Sequence, residues 1–491
     1  MSQPSIKKNF AYSTAYQILT VITPFITAPY VSRVLGPAGV GIQNYTGSVQ
    51  AYFLLVAALG TVAYGSREIA QHRDNKEEYS KLFWEIELMT VITSSVVLLA
   101  WIGFIFLSSD YKLFYIALIP NIFGTMFDIS WLFSGLEQFK FTVIRNTIFK
   151  ILAIILMFIV VREPDDVLPF MWVMSFTTVL ASLSLWTYVP KIVVKVKFKE
   201  LSILRHFGQT MVYFVPSVAT SIYLVLDRTL LGLITNDVSQ NGYYAQAEKI
   251  ITMAKSFCLS LNAVVGMRIS YLFAKNKIDE IKSRIDNTMN YIFFVGVGSG
   301  CGIAGVAAIF VPTFFGDGFE PVTSLLYIFA PIITVIGISN CIGTHYYTPA
   351  GLRKQSNKYI IIGALVNLIM NLILIPLFGA YGAAVSSLTA ELVITVLYFH
   401  YCNGYMTRRK LYLFGWKKIV AGLVMLFVIH WLGVLLTFLM ADLQIGGSII
   451  TLAIQGVLGV VIYGSLLLLL KDEWTWRILR EQVIVRVKKF I

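Results

Sequence analysis

Fourteen apolar stretches alternate with polar connections along the chain. They fall at about 11–35, 39–63, 83–107, 112–134, 141–161, 167–189, 208–234, 242–267, 288–312, 321–347, 358–377, 380–402, 417–440 and 446–470. An apolar run of roughly 20 residues is what an α-helix needs to cross ~30 Å of hydrocarbon. The pattern therefore predicts an all-α integral membrane protein of about 14 transmembrane helices. A membrane barrel is disfavoured, because its short strands alternate apolar and polar positions instead of running continuously apolar. The connections after the odd-numbered spans are short: 36–38, 108–111, 162–166, 235–241, 313–320, 378–379 and 441–445. None can fold into a domain. A membrane enzyme acting on that face would be expected to build its site from longer loops.

Composition agrees, with 57% hydrophobic and 13% charged residues in 491. A soluble chain of this composition would expose too much apolar surface. The net charge of +13 would suit nucleic acid, but its placement argues for a membrane instead. Of the 39 Lys and Arg, 31 fall in the termini and the connections after even-numbered spans, while the opposite connections hold only Lys112 and Arg162. By the positive-inside rule both termini are cytoplasmic, and the chain is expected to be a multi-pass protein of the cell (inner) membrane. Residues 1–10 lead straight into a span too long for a signal-peptide core, so no cleavable signal is expected. Cys258, Cys301, Cys341 and Cys402 lie in or at spans and read as packing residues. The five histidines are scattered singly, which gives no metal site. There is no GxxxxGK[ST], HExxH or GxSxG motif. The reading is a non-enzyme without cofactor, and a body of helices with small loops suits a transporter.

Charges inside spans are costly and normally face a protein or water-filled interior. Lys255 and Glu391 lie near mid-span, Asp128 slightly to the cytoplasmic side, and Asp227, Arg228, Glu248 and Lys249 in the outer parts of spans seven and eight. Arg33 lies near the outer end of span one, Lys150 in the inner third of span five, and Arg145 at its inner interface. Glu248, Thr252, Lys255 and Asn262 follow one helical stripe on span eight, and Ser13, Gln17, Thr20, Pro24 and Thr27 another on span one. Such stripes serve either a cavity or hydrogen bonds between helices. Glu248 is also a candidate partner for Lys255. Spans one and seven echo each other: each carries a proline (Pro24, Pro216), then an arginine (Arg33, Arg228), then a Gly/Tyr segment beginning at Gly39 or Gly242. An offset near 200 residues in one orientation implies two six-helix lobes, 1–200 and 201–405, with two extra helices and a basic tail in 406–491. Substrate would then bind between lobes that rock for alternating access. The segment 73–78 reads as a solvated helix end. Lys191 to Lys199 and the tail from Arg477 to Lys489 read either as inner-leaflet surface segments or as topology determinants.

Several stretches resemble the Wzx-type polysaccharide repeat-unit flippases, members of the multidrug/oligosaccharidyl-lipid/polysaccharide exporter superfamily. They are Pro29–Gly36 (PYVSRVLG), Ser66–Ala70 (SREIA), Asp128–Glu137 (DISWLFSGLE), Leu226–Thr229 (LDRT) and Gly242–Ile250 (GYYAQAEKI). The chain departs from the pattern at Met267, where proline is expected and whose absence would leave span eight straighter. It departs again at His345 to Gly351, where a more apolar form is expected. The resemblance implies translocation of undecaprenyl-diphosphate-linked oligosaccharide repeat units from the cytoplasmic to the outer leaflet for capsule, O-antigen or exopolysaccharide synthesis. Polymerase and glycosyltransferase partners and contact with membrane lipids are implied, and no nucleic acid. A cationic cavity would neutralise the diphosphate, with Arg33, Arg228 and Lys255 as its cations. Asn262, Tyr30 and Tyr244 would serve the sugars. Asp128, Asp227, Glu248 and Glu391 are candidate proton or sodium sites, each with a structural ion pair as the alternative reading. The rival functions are a cation-coupled small-molecule exporter of the same superfamily and a scaffold for polysaccharide assembly.

Overall fold

A computed structural model describes residues 6–440 and 444–480. The basic tail from 481 to 489 and most of the connection 441–445 lie outside the described residues, as do the side chains of Ser13, Pro216, Ser217 and Tyr223. Among the described residues every regular element is helical. Among the described residues twelve helices are long and apolar enough to cross a membrane. Their apolar side chains turn outward as well as inward: Phe106, Leu107, Phe438 and Leu469 are each more than three-quarters exposed. In water that arrangement would be unstable, whereas in lipid it is the expected state of a helix surface.

The chain divides into two compact units, Met1–Gly242 and Tyr243–Ile491. The first holds α1 (Ile6–Ala58), α2 (Thr61–His72), α3 (Lys76–Leu107), α4 (Lys112–Ala117), α5 (Ile119–Met126), α6 (Ser130–Gly135), α7 (Phe139–Val160), α8 (Val167–Trp186), α9 (Val189–Ile192) and α10 (Phe207–Ile234). The 53-residue α1 covers the first two apolar stretches. It is broken at Gly36, whose φ of 66° and ψ of 179° are open to glycine alone. Where the sequence suggests a three-residue connection at 36–38, the backbone makes a kink. Prolines 24, 29 and 37 also lie in this helix.

The fourth apolar stretch is not one helix but three short ones. Pro120 sits in the first turn of α5, where its missing N–H costs nothing. Asp128 then interrupts the chain and accepts from the Ser130 N–H at 3.2 Å and the Ser130 hydroxyl at 3.1 Å, so that it starts α6. At one end of this unit Tyr64, Phe83, Trp131, Phe133 and Leu185 form a buried aromatic core. The extended segment after α9 lies on α3: Tyr79 donates to the Ile192 carbonyl at 2.9 Å, and the Val194 N–H donates to Ser80 at 3.0 Å.

The second unit contains most of α11 (Ser239–Ala274), then α12 (Ile278–Phe315), α13 (Glu320–Ile342), α14 (Arg353–Phe378), α15 (Ala380–His400), α16 (Arg408–Leu439), α17 (Gln444–Leu469) and α18 (Glu473–Ile478). α12 packs on α13, α16 and α17, and α14 on α15. α11 runs unbroken through Met267, in keeping with the missing proline. The second departure, His345 to Gly351, begins in a π-helical turn at Gly343–Tyr347. His345, Tyr346 and Tyr347 are buried there, with Tyr347 packed on Tyr398 at 4.9 Å. The more polar sequence thus makes an internal aromatic plug.

Candidate functional site

An open hollow of about 760 Å³ lies in the N-terminal unit, lined by α1, α2, α3, α5, α6, α7, α8 and α10. α7 supplies its charged wall. Arg145, Asn146, Phe149, Lys150 and Ala153 line the hollow at helical spacing, so one face of α7 turns inward. Arg145 Nη1 lies 3.4 Å from Asp128 Oδ1 and also donates to the Ala181 carbonyl at 3.4 Å. Its Nε donates to Asn146 Oδ1 at 2.9 Å. Lys150 Nζ sits 5.7 Å from the centre of the Tyr16 ring and makes no hydrogen bond or ion pair among the described residues. The lining therefore holds one more cation than anion, together with the hydroxyls of Thr125, Thr177 and Ser182. Such a wall suits an anion that brings neutral hydroxyl groups with it.

Next to this hollow, α3 carries two glutamates that the sequence reading passed over. Glu85 is buried and accepts from the Ser202 N–H at 2.7 Å and from Arg205, and pairs with His206 at 2.8 Å. His206 in turn meets the Tyr64 hydroxyl at 2.6 Å. Glu87 is 1% exposed, and neither carboxylate oxygen has a hydrogen-bond partner among the described residues. It lies in the field of Asp128. Two glutamates so near the start of an apolar run look like membrane-interface residues. Arg145 and Lys150 carried a clearer signal: both are cations within a span, on the face shared by Asn146 and Phe149.

The structure distributes the sequence-derived candidates between the two units. In the first, Arg33 is exposed, Arg228 half-buried and Asp227 buried. Tyr30 is used structurally: its hydroxyl donates to the Val161 carbonyl at 2.6 Å and its ring meets Phe158 at 4.5 Å. Asp128 alone of the candidates lines the 760 Å³ hollow. In the second unit, Glu248 is half-buried and Glu391 is 8% exposed. Half-buried Lys255 makes no hydrogen bond or ion pair among the described residues. Asn262 is buried and donates to Asn340 Oδ1 at 2.9 Å, while its carbonyl meets His345 Nε2 at 3.2 Å. Tyr244 is buried, with its hydroxyl 3.2 Å from the Ser387 hydroxyl. No group of three or more potential metal ligands occurs among the described residues.

Comparison with known proteins adds to this geometry. The family model described as "Polysaccharide biosynthesis protein" matches residues 6–266. The "Putative O-antigen transporter" of Escherichia coli (strain K12) is 22% identical over 398 residues, which cover 80% of this chain and 95% of that protein. The "Probable low-salt glycan biosynthesis flippase Agl15" of Haloferax volcanii is 26% identical over 278 residues, 56% of each chain. Among solved structures, the lipid II flippase MurJ in an inward closed conformation superimposes with a TM-score of 0.66. That match covers 91% of this chain and 99% of MurJ at 18% identity, and so speaks for the fold. With its multi-span helical fold and a family match over more than half its length, the chain belongs to the polysaccharide biosynthesis protein family.

Proposed function

We propose that this protein flips undecaprenyl-diphosphate-linked oligosaccharide repeat units from the cytoplasmic to the outer leaflet of the cell membrane, by alternating access, for a capsule, O-antigen or other secreted polymer. The observation that carries the reading is the hollow of the N-terminal unit, whose largely apolar lining holds Arg145, Lys150, Asp128 and several hydroxyls. Taking a diphosphate and its sugars through hydrocarbon unaided is prohibitive. Arg145 and Lys150 offset the charge, and the hydroxyls replace water around the sugars. Arg33, Arg228 and Lys255 offer further cations, and Tyr30, Tyr244 and Asn262 further polar or aromatic surface. The names of the similar O-antigen transporter and glycan flippase support the same substrate class.

In this reading the chain crosses the membrane fourteen times with both termini cytoplasmic. The first apolar helix turns at Gly36 to cross twice, and α10 adds a crossing to the other eleven apolar helices. The functional division follows the sequence echo, 1–200 and 201–405, with 406–491 appended. Energy comes from the membrane potential, with Asp128, Asp227, Glu248, Glu391 and now Glu87 as the carboxylates available for ion coupling. The protein acts as a carrier and not as an enzyme, and it supplies a polymerase on the far side with glycosyltransferase products made on the near side.

The test is to deplete the protein and locate complete lipid-linked repeat units with a sugar-modifying probe that cannot cross the membrane. Units are expected to collect on the cytoplasmic leaflet. Wild type should restore export, and Arg145→Gln with Lys150→Gln should not, despite normal insertion. Complete units reaching the outer face of depleted cells would sink the flippase reading. Normal export by the double variant would sink only the role of the hollow.

A further inference from the structure

A smaller cationic hollow lies in the C-terminal unit, between α11, α12 and α18. It measures about 400 Å³. Arg284 of α12 and Arg477 of α18 line it together with Trp474, and Leu261 and Val265 of α11 form an apolar wall. Among the described residues no carboxylate lines it, and neither arginine pairs with one.

The adjoining hollow of about 740 Å³ shows that this is not simply a basic surface. It shares Arg477, Asn287 and Trp474 with the smaller one, yet Asp279, Asp286, Asp472 and Glu473 line it beside Lys282, Lys410 and Lys417. Lys410 pairs with Asp286 at 2.6 Å and Lys418 with Asp472 at 2.9 Å. The smaller hollow instead brings two arginines together in a lining that holds no carboxylate.

Arg477 is also held in place. Asp472 receives the Thr475 N–H at 3.0 Å and its hydroxyl at 2.7 Å, which fixes the first turn of α18. Lys418, fully buried, ties Asp472 to α16. Trp476 Nε1 donates to the Leu468 carbonyl at 3.1 Å, and Arg477 donates to Asn287 Oδ1 on α12. Arg477 is thereby set against α12 on the side where Arg284 lies, with Trp474 packed on Phe294 at 5.5 Å. Two guanidinium groups above an apolar wall match a phosphate ester that carries hydrocarbon chains. The basic connections place this end of the unit at the inner leaflet, whose lipids are anionic.

We propose that Arg284 and Arg477 bind the phosphate headgroup of an anionic glycerophospholipid, whose chains follow Leu261 and Val265 along α11. At about 400 Å³ the hollow is of a size to accommodate a glycerol phosphate head. The proposal does not depend on flippase activity.

Binding is measured by titrating phosphatidylglycerol, and separately phosphatidylcholine, into the purified full-length protein and counting bound lipid by native mass spectrometry. Phosphatidylglycerol is expected to bind in preference to phosphatidylcholine. Arg284→Gln with Arg477→Gln should weaken it about 30-fold, from the usual contribution of two surface cations. Should the double variant fail to fold, each single change is expected to weaken binding about fivefold. The lysine pair Arg284→Lys with Arg477→Lys should keep most of the binding, and Lys282→Gln in the larger hollow should keep all of it. Equal binding by the glutamine variants and wild type overturns the proposal, as does equal weakening by Lys282→Gln. Displacement of the lipid by equimolar inorganic phosphate, or by a polyprenyl diphosphate more readily than by phosphatidylglycerol itself, overturns the choice of ligand.

Discussion

Glu85 and Glu87 are two residues apart on α3, which turns them about 200° from each other around the helix. One is saturated with partners and ties the segment before α10 to α3, while the other has none among the described residues. A third acidic residue shows what a partner is worth. Burial pushes the Asp472 carboxyl up, but hydrogen bonds from Lys418 and Thr475 outweigh it and hold it below the usual carboxylate value. A depressed folded value means that its stabilisation is present above the unfolded pKa of about 4 and is lost as pH falls through the folded one. Asp472→Asn should cost roughly 3–5 kcal/mol by leaving Lys418 buried without a carboxylate. Lys418→Met with Asp472→Leu should cost less, about 1 kcal/mol for the lost cap of α18. Thermal melts of the detergent-solubilised protein at pH 7 and pH 4 would check both, with a smaller acid loss in either variant than in wild type. At this scale the sequence was only partly legible. Asp128 stood out as an acid inside a span and proves to be paired with Arg145. Glu85 and Glu87 did not stand out, because an acid near the end of an apolar run looks solvated until the fold covers it.

Helices were far more legible than their interruptions. Apolar runs and basic connections gave the elements, since hydrocarbon imposes one length on every crossing. The break at Gly36 fell in the connection read at 36–38, but those at Pro120 and Asp128 were not legible, because hydropathy does not register a ring or a carboxylate turned onto the local backbone. The Gly/Tyr segments after spans one and seven were noticed only as an echo. In the structure their glycines meet: a Cβ on Gly41 would stand 2.0 Å from the Val238 carbonyl oxygen, and one on Gly242 would stand 2.2 Å from that of Pro37. Backbone cannot yield as a side chain can. Gly41→Ala and Gly242→Ala are each expected to destabilise at the upper end of the ~1–3 kcal/mol usual for overpacking. Gly47→Ala, with open space around it, should change stability by no more than about 1 kcal/mol and in the stabilising direction. Melting temperatures of the three variants would rank them, and a tolerated Gly242→Ala would contradict the close approach.

At the scale of the whole molecule, charge is sorted by ends within each unit. Arg73 meets Glu137 at 2.7 Å in the first unit, and Lys410 meets Asp286 in the second, so connections far apart in sequence share an end as their lysines and arginines implied. What sequence could not supply was the location of the hollow, because it is lined by eight helices and only α7 advertises its inward charges. The energetics also belong here. Moving two negative charges outward across ~100 mV, negative inside, releases about 5 kcal/mol. Collapsing the potential with valinomycin and potassium should therefore slow appearance of repeat units at the outer face, while removing the pH gradient alone should slow it less. The reverse ranking would assign the drive to proton binding at the intramembrane carboxylates.

The Lys418–Asp472 pair has a consequence for how the molecule is made. Lys418 lies near the start of α16, and its only carboxylate among the described residues lies beyond α17, 54 residues later. As the chain emerges, that cation waits through the synthesis of a further helix with only Asn290 and the Phe414 carbonyl to hold it. A chain that stops within α17 leaves this ammonium without the carboxylate that holds it in the finished fold. Closing the pair thus waits until α17 is complete and ties α16 to the chain beyond it.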